Sequence, residues 1–429
     1  MLQKFNKVKK WIEELPIIKK NTLVYASIFI LIVGFMINGC ALLIGEKIST
    51  VFYRIIDIFL LVVEGGIIGT TLLTIWIRRP KKITIIYSIF IGIFLINYAL
   101  FAQNRDAIQS VISKFFLYNV TAFVLFYVVK KDEKLLKFCI KCAKWLFLFS
   151  VLYLFLAGEE GQYNVWLAKH FFIVSIFMIY SFLKYHTKHT FLISILCLIA
   201  LIYTGSRTYL MLYFIFTIIC VLIATIKSFL KAKIIGKIII TIVIIFIILT
   251  GIWGLQNYKT ISEDLFIYFL KEHNIRIRML RLFYSEDLFT SSAREDSIYP
   301  TIIEEIKENW LLGSGICGDR IALYQKYLEE GKIKEGYKVT AYYSHNLILE
   351  IYCTFGVIIS SFLLLTLLYL YYRNFRYQPK KRDAIICLTM ISIFPLMLNG
   401  TFLDNIFFWG LIGILMPVAK GKHAKIKEL

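Results

Sequence analysis

Acidic charge is scarce in this chain, and so are long polar stretches. Its 429 residues carry 28 Asp+Glu against 49 Lys+Arg, a formal net charge of +21, while 59% are hydrophobic and 16% aromatic. A mean hydropathy of +0.71 is beyond the reach of an ordinary soluble domain. Apolar runs of the ~20 residues that a membrane helix needs recur from end to end. The expected fold class is therefore all-α and polytopic. In a soluble protein the positive excess would point to nucleic acid. Here it falls in short runs between apolar spans, the pattern that orients membrane proteins. No basic face with interleaved aromatics stands clear of the membrane, so nucleic acid is not an expected partner.

Other absences narrow the chemistry. Most of the cysteines (Cys40, Cys139, Cys142, Cys197, Cys220, Cys317, Cys353, Cys387) lie in apolar spans, and only Cys317 sits well inside the one long polar segment. That segment cannot form an internal disulfide. Cys139-Ile-Lys-Cys142 fits C-x-x-C but has no second pair or histidine nearby, so it reads as two small membrane residues. The acidic pairs Glu286-Asp287, Glu295-Asp296 and Glu304-Glu305 are adjacent in the chain. Neighbours one apart diverge on a helix, and there is no D-x-D and no His/Asp cluster, so no metal and no cofactor are implied. No fixed-period repeat and no inverted two-halves pattern are evident. No cleaved signal peptide is evident either, and the first span is expected to act as an uncleaved anchor.

About twelve spans are expected: Leu23–Ile44, Ile55–Ile77, Ile83–Phe101, Val111–Val129, Phe138–Leu156, Trp166–Leu183, Phe191–Thr204, Thr208–Ile226, Ile234–Gly254, Leu347–Tyr371, Ala384–Leu398 and Asp404–Val418. Lys and Arg cluster before the first, after the even-numbered spans and after the last. That alternation puts both termini in the cytoplasm and the large loop outside a cytoplasmic membrane. Five divisions follow. Residues 1–22 are a cytoplasmic amphipathic segment with Phe5, Val8, Trp11, Ile12 and Leu15 at helical spacing. Residues 23–255 hold nine helices, 256–345 a large extracellular loop, 346–419 three helices and 420–429 a cytoplasmic tail.

A loop of about ninety residues is far above the usual connection length and is expected to be functional. Ile261–Phe289, Ser297–Trp310 and Asp319–Glu330 have helical apolar spacing, and such faces need something to cover. Between the last two, Gly313-Ser314-Gly315-Ile316-Cys317-Gly318 fits G-x-G-x-x-G. A dinucleotide site needs a preceding strand. Here a helix precedes, so the stretch reads as a tight glycine turn.

Few residues can carry chemistry. Arg207 follows Gly205-Ser206 after a span of about 14 residues, ~21 Å against a hydrocarbon core near 30 Å. At that depth an unpaired arginine costs about 2.5–3.5 kcal/mol. It reads as a snorkelling helix-end arginine or, favoured here, as an anion site, since the guanidinium fork suits phosphate. His345 lies in Tyr343-Ser344-His345-Asn346. Ser344 is expected to cap the next helix, with His345 in its first turn, where the helix dipole keeps imidazole neutral. It reads as a structural histidine or as a general base. Arg294 opens the helix ending at Trp310, as a surface arginine or a site residue. Arg276, Arg278 and Arg281 read as a solvated or headgroup-facing edge. Arg54, Asp57 and Glu64 fall at steps of three and seven on one helix face. That face is expected to line the bundle interior or a wet cavity, as an internal ion pair or as a substrate contact.

Four stretches together resemble the O-antigen ligase/polymerase family: Thr204-Gly205-Ser206-Arg207, Ser292-Ala293-Arg294, Trp310-Leu311-Leu312-Gly313-Ser314-Gly315 and Ser344-His345-Asn346 followed by Glu350 and Phe355-Gly356. The family's proline before Leu-Leu-Gly is absent, and the likeness runs over roughly Ile195–Ile359. It implies a GT-C-like membrane glycosyltransferase with a donor glycan on undecaprenyl pyrophosphate and a hydroxyl acceptor on another glycan. Carried over, Arg207 and Arg294 clamp the pyrophosphate and His345 activates the hydroxyl, with Asn346, Glu64, Asp57 and Arg54 as substrate-binding candidates. Membrane lipids, a flippase and a chain-length regulator are the implied partners. The Ile, Lys, Phe and Tyr bias points to an AT-rich genome and so to capsular or exopolysaccharide polymerisation rather than ligation to lipopolysaccharide. The competing readings are a glycan ligase, a lipid-linked oligosaccharide flippase, which would not need such a loop, and a cell-shape glycosyltransferase, whose motifs are not found.

Overall fold

The computed structural model describes residues 21–130, 132–158, 164–231, 253, 256–257, 297–334, 338–339 and 342–417. Every regular element among them is helical. In chain order they are α1 (Thr22–Ile48), α2 (Thr50–Arg78), α3 (Pro80–Leu100), α4 (Ala102–Val129), α5 (Leu135–Ala157), α6 (Val165–Tyr185), α7 (Lys188–Thr204) and α8 (Arg207–Lys231). After the loop come α9 (Tyr299–Glu308), α10 (Gly318–Glu329), α11 (Leu347–Tyr377), α12 (Arg382–Leu398) and α13 (Ile406–Leu415).

Expected spans one to eight and ten to twelve fall on α1–α8 and α11–α13. Among the described residues, 7 helices are long and apolar enough to cross a membrane. Lys188–Thr204, Arg207–Ile223 and Ile406–Leu415 are shorter apolar helices. The amphipathic amino terminus, the ninth span, the loop helix expected at Ile261–Phe289, Arg294 and the tail at 420–429 lie outside the described residues.

The chain forms two compact units. One holds residues 32–60 and 139–292, and its described centre is α6, which packs on α7 and α8. The burial of α6 on nearly every face, including Phe171, Phe172, Val174 and Phe177, fits a helix apolar all round. Its start is capped by Asn164, whose side chain accepts from Leu167 N at 3.0 Å.

The other unit holds residues 1–31, 61–138 and 293–429. Its core is aromatic: Phe90, Phe94, Phe115 and Trp409 meet at ring separations of 4.9–5.8 Å, within the range where edge and tilted pairs add to area burial. Helices α4 and α13 touch most closely. A Cβ on Gly413 would run into the carbonyl of Phe123, and one on Gly410 would lie 2.9 Å from the Phe126 ring. The end of α13 is held by Lys130, which donates to Met416 O at 3.0 Å and Pro417 O at 3.1 Å. A cation on final helix carbonyls is favoured by the dipole. Above this core sit α9 and α10, whose apolar faces (Ile298, Ile302, Leu323) close on Cys353 of α11. The glycine at 413 gives a test. Gly413→Leu should destabilise the purified protein by about 1–3 kcal/mol through overpacking, read as a lower thermal midpoint in detergent. An unchanged midpoint would show that α4 and α13 do not pack this closely.

Candidate active site

α11 is a broken helix. Gly356 has φ 69° and ψ 174°, a backbone region open essentially to glycine alone. A break strands carbonyls and an amide that a continuous helix would pair, and buried orphans are costly. The turn after α9 supplies the partners. Ser314 N donates to Cys353 O at 2.7 Å, Gly315 N donates to Thr354 O at 3.1 Å, and Val357 N donates to Trp310 O at 2.7 Å. The two backbones approach so closely that a Cβ on Gly313 would lie 2.5 Å from Gly356 N. The Trp310–Gly315 and Phe355-Gly356 stretches are thus two halves of one interlock.

The junction of α3 and α4 holds the same turn from the far side. Asn104 Nδ2 donates to Ser314 O at 2.6 Å and to Ile316 O at 3.0 Å, and Asn97 Oδ1 accepts from Ile316 N at 2.8 Å. The amides of Gly313 and Gly318 are also used, by Asn309 O at 2.8 Å and Gly315 O at 2.9 Å. With these amides engaged, the G-x-G-x-x-G stretch is a structural turn and no phosphate cradle.

α10 leaves the turn through Cys317, at φ 66°. Burial pushes the Cys317 thiol up to about 12, so it is no nucleophile at neutral pH. The first turn of α10 buries Asp319 and Arg320, each 1% exposed. Asp319 Oδ2 accepts from Ser344 N at 2.9 Å, while its Oδ1 has no hydrogen-bond partner among the described residues. Burial raises the Asp319 carboxyl above the ordinary range, against the pull of Arg320. Burial also works against the charge on Arg320, but Cys317, Asp319, Asp404 and Glu350 outweigh it and raise its pKa. Arg320 Nη2 lies 3.5 Å from Thr401 Oγ1 and 3.7 Å from Asp404 Oδ2. Glu350, also buried, accepts from Thr401 Oγ1 and, at 3.1 Å, from Phe402 N. Arg320 and Glu350 thus have the polar partners that burial requires.

His345 hangs between these clamps. It sits outside the helix at φ 54°, a left-handed setting that few non-glycine residues adopt. The cap of α11 is Asn346, whose Oδ1 accepts from Ile348 N at 3.0 Å and Leu349 N at 3.3 Å. This corrects the expectation that Ser344 caps the helix and that His345 lies in its first turn. The reason is local: Ser344 N is committed to Asp319 and its hydroxyl donates to Asn346 O at 3.3 Å, so the next good capping residue takes over. The His345 ring lies 4.0 Å, centroid to centroid, from Tyr343. Its Nδ1 is 3.1 Å from Asn399 Oδ1, the same atom that accepts from Tyr343 OH at 3.3 Å.

Residues 192–364 match the family model described as O-antigen ligase. The O-antigen ligase match covers less than half of the chain, yet it takes in most of α7, all of α8, both halves of the interlock and His345. It implies a membrane glycosyltransferase of ligase or polymerase type. No curated protein matches the chain.

The other sequence-assigned residues fare differently. Arg207 opens α8, exposed, one residue after Gly205 ends α7 at φ 68°, with buried Ser206 between them. It belongs to the first compact unit and His345 to the second. α7 has 17 residues, about 25 Å at the helical rise. It is longer than its apolar run and still short of a ~30 Å core. Arg54 and Asp57 are exposed on α2 and no ion pair joins them, while Glu64 is half-buried. Arg54 and Asp57 therefore do not face a packed interior, because that end of α2 has little packed against it.

Sequence reasoning missed Asp319, Arg320, Asn399, Thr401 and the two asparagines on α3 and α4. The available signal was placement for Asn97, Asn104, Asn399 and Thr401, which interrupt or end apolar runs; Asp319 and Arg320 carried none. Two tests follow. Gly356→Ala should abolish activity and lower the yield of folded protein, because the methyl meets Leu311 O and the interlock opens. Asp319→Ala should cost about 1–3 kcal/mol by orphaning Ser344 N–H, with Asp319→Asn, which keeps an acceptor there, costing less. Equal losses for the two Asp319 variants in thermal unfolding would show that the Ser344 bond is not what matters.

Proposed function

We propose that the protein polymerises undecaprenyl-pyrophosphate-linked oligosaccharide repeat units into capsular polysaccharide or exopolysaccharide at the outer face of the cytoplasmic membrane. The observation that carries this reading is the O-antigen ligase match over the segment that includes Arg207, Arg294 and His345. In this reading the arrangement is GT-C-like, with both termini cytoplasmic and the loop outside. The acceptor hydroxyl oxygen attacks the anomeric carbon from the face opposite the pyrophosphate. The new C–O bond forms as the bond to the leaving group breaks, and the configuration inverts. His345 takes the hydroxyl proton. Arg207 and Arg294 hold the departing pyrophosphate, supplying fixed positive charge where its negative charge develops, so that metal is not required. Undecaprenyl pyrophosphate leaves in the membrane. Asn346, Glu64, Asp57 and Arg54 are proposed to contact the glycan.

A ligase that moves the lipid-linked glycan to another acceptor fits the match equally, since the matching description is that of a ligase. The Ile- and Lys-rich composition favours polymerisation, because it points to cells without lipopolysaccharide. Purified protein incubated with lipid-linked repeat units and no added metal separates the readings. A ladder of lengthened products supports polymerisation, and a single transfer to a foreign acceptor supports ligation. Passage of unaltered lipid across liposomes would support a flippase instead. His345→Ala and Arg207→Ala should each abolish polymer while leaving the protein in the membrane. Full-length polymer from both variants would refute the assignment of these roles.

A further inference from the structure

The segment after α12, Asn399-Gly400-Thr401-Phe402-Leu403-Asp404, lies outside the matched residues 192–364 but reaches into the His345 neighbourhood at several points. Thr401 and Phe402 N bind the Glu350 carboxylate, Asp404 lies against Arg320, and Asn399 meets the imidazole. The segment is itself fixed. Asn399 N closes α12 on Pro395 O at 2.6 Å, Gly400 turns at φ 123°, and Leu403 O accepts from Asn119.

We propose that Asn399 is a positioning residue that sets the tautomer of His345 and so makes Nε2 the basic atom. This rests on the reading of His345 as the general base. A neutral imidazole has one N–H and one lone pair, and the partner of one nitrogen decides the other. Asn399 Oδ1 faces Nδ1 at 3.1 Å. The same oxygen accepts from Tyr343 OH at 3.3 Å, and the two rings lie together at 4.0 Å. An oxygen there makes Nδ1 the donor, so the lone pair is on Nε2, the nitrogen that takes the acceptor hydroxyl's proton. An amide does this without a charge. A carboxylate in its place would hold the same tautomer but stabilise imidazolium and raise the histidine's pKa. Among the described residues, the titratable or charged groups on the surrounding elements include Tyr343, Asp319 and Arg320 of α10, Glu350 of α11 and Asp404. None of them is changed in the variants that follow.

The test measures initial transfer rates against pH, using lipid-linked repeat units extracted from cells lacking this protein. Asn399→Leu should lose about 10²-fold in rate, a share of what general-base catalysis contributes. Asn399→Asp, which can only accept, should recover most of that rate at alkaline pH. Its acid limb should move upward by about one unit or more, since a neighbouring opposite charge shifts a pKa by that much. In a His345→Ala background, Asn399→Leu should add no further loss, as expected of residues that act as a unit. Three results overturn the proposal: wild-type rate and pH profile in Asn399→Leu, an unmoved acid limb in Asn399→Asp, or full additivity with His345→Ala. Retained activity in His345→Ala alone would instead refute the base assignment and leave the structural contact standing.

Discussion

A broken helix whose unpaired backbone groups are satisfied by a distant turn is the constraint on which the rest of the site depends. Without Gly356, α11 would run on unbroken, and the turn at Trp310–Gly315 would have no carbonyls to bind. Each orphaned buried group would cost about 1–3 kcal/mol, so the turn and the break stabilise each other or neither forms. Non-helical backbone at a membrane-spanning element is tolerated only where protein covers it, and here the loop is the cover. Val357–Tyr377 is the part of α11 that remains after the break, and it is long enough on its own for a ~30 Å core.

From that joint the neighbouring features follow in order. The docked turn delivers α10 with Asp319 and Arg320 already pointing inward. Asp319 then fixes Ser344 and, through it, the left-handed backbone of His345. The strap after α12 completes the enclosure through Thr401, Phe402 and Asp404. Asn399 meets Nδ1 as a neutral partner and the Tyr343 ring lies against the imidazole, and both orient it. In the proposed role of His345 as base, such rigid framing would set the geometry before the substrate arrives, with no reorganisation at the moment of reaction.

Much of the architecture was legible in the residues. Apolar runs located the helices from α1 to α8 and from α11 to α13. Loop helices α9 and α10 followed from their spacing, and the glycine turn from Gly313 and Gly315. Backbone pairing between Ser314, Gly315 and the α11 carbonyls was not legible, because main-chain groups leave no mark in side-chain identity. Two motifs that read as separate are one structure for that reason. Ser344 was a fair expectation for a cap, but its amide has a tertiary partner in Asp319 and its hydroxyl turns to the Asn346 carbonyl, neither of which sequence shows. Asp319 and Arg320 looked like ordinary solvated positions on a polar helix, since only the fold reveals that the first turn of α10 is buried. Asn399 sits about fifty residues from His345, with nothing in the local pattern to connect them.

Amide hydrogen exchange tests the interlock most directly. Ser314, Gly315 and Val357 should exchange as slowly as amides in the uninterrupted part of α11, because exchange there requires the turn and the helix break to come apart together. Fast exchange at Ser314 and Gly315, at rates typical of an exposed loop while α11 stays protected, would contradict the idea that this loop turn completes the broken helix.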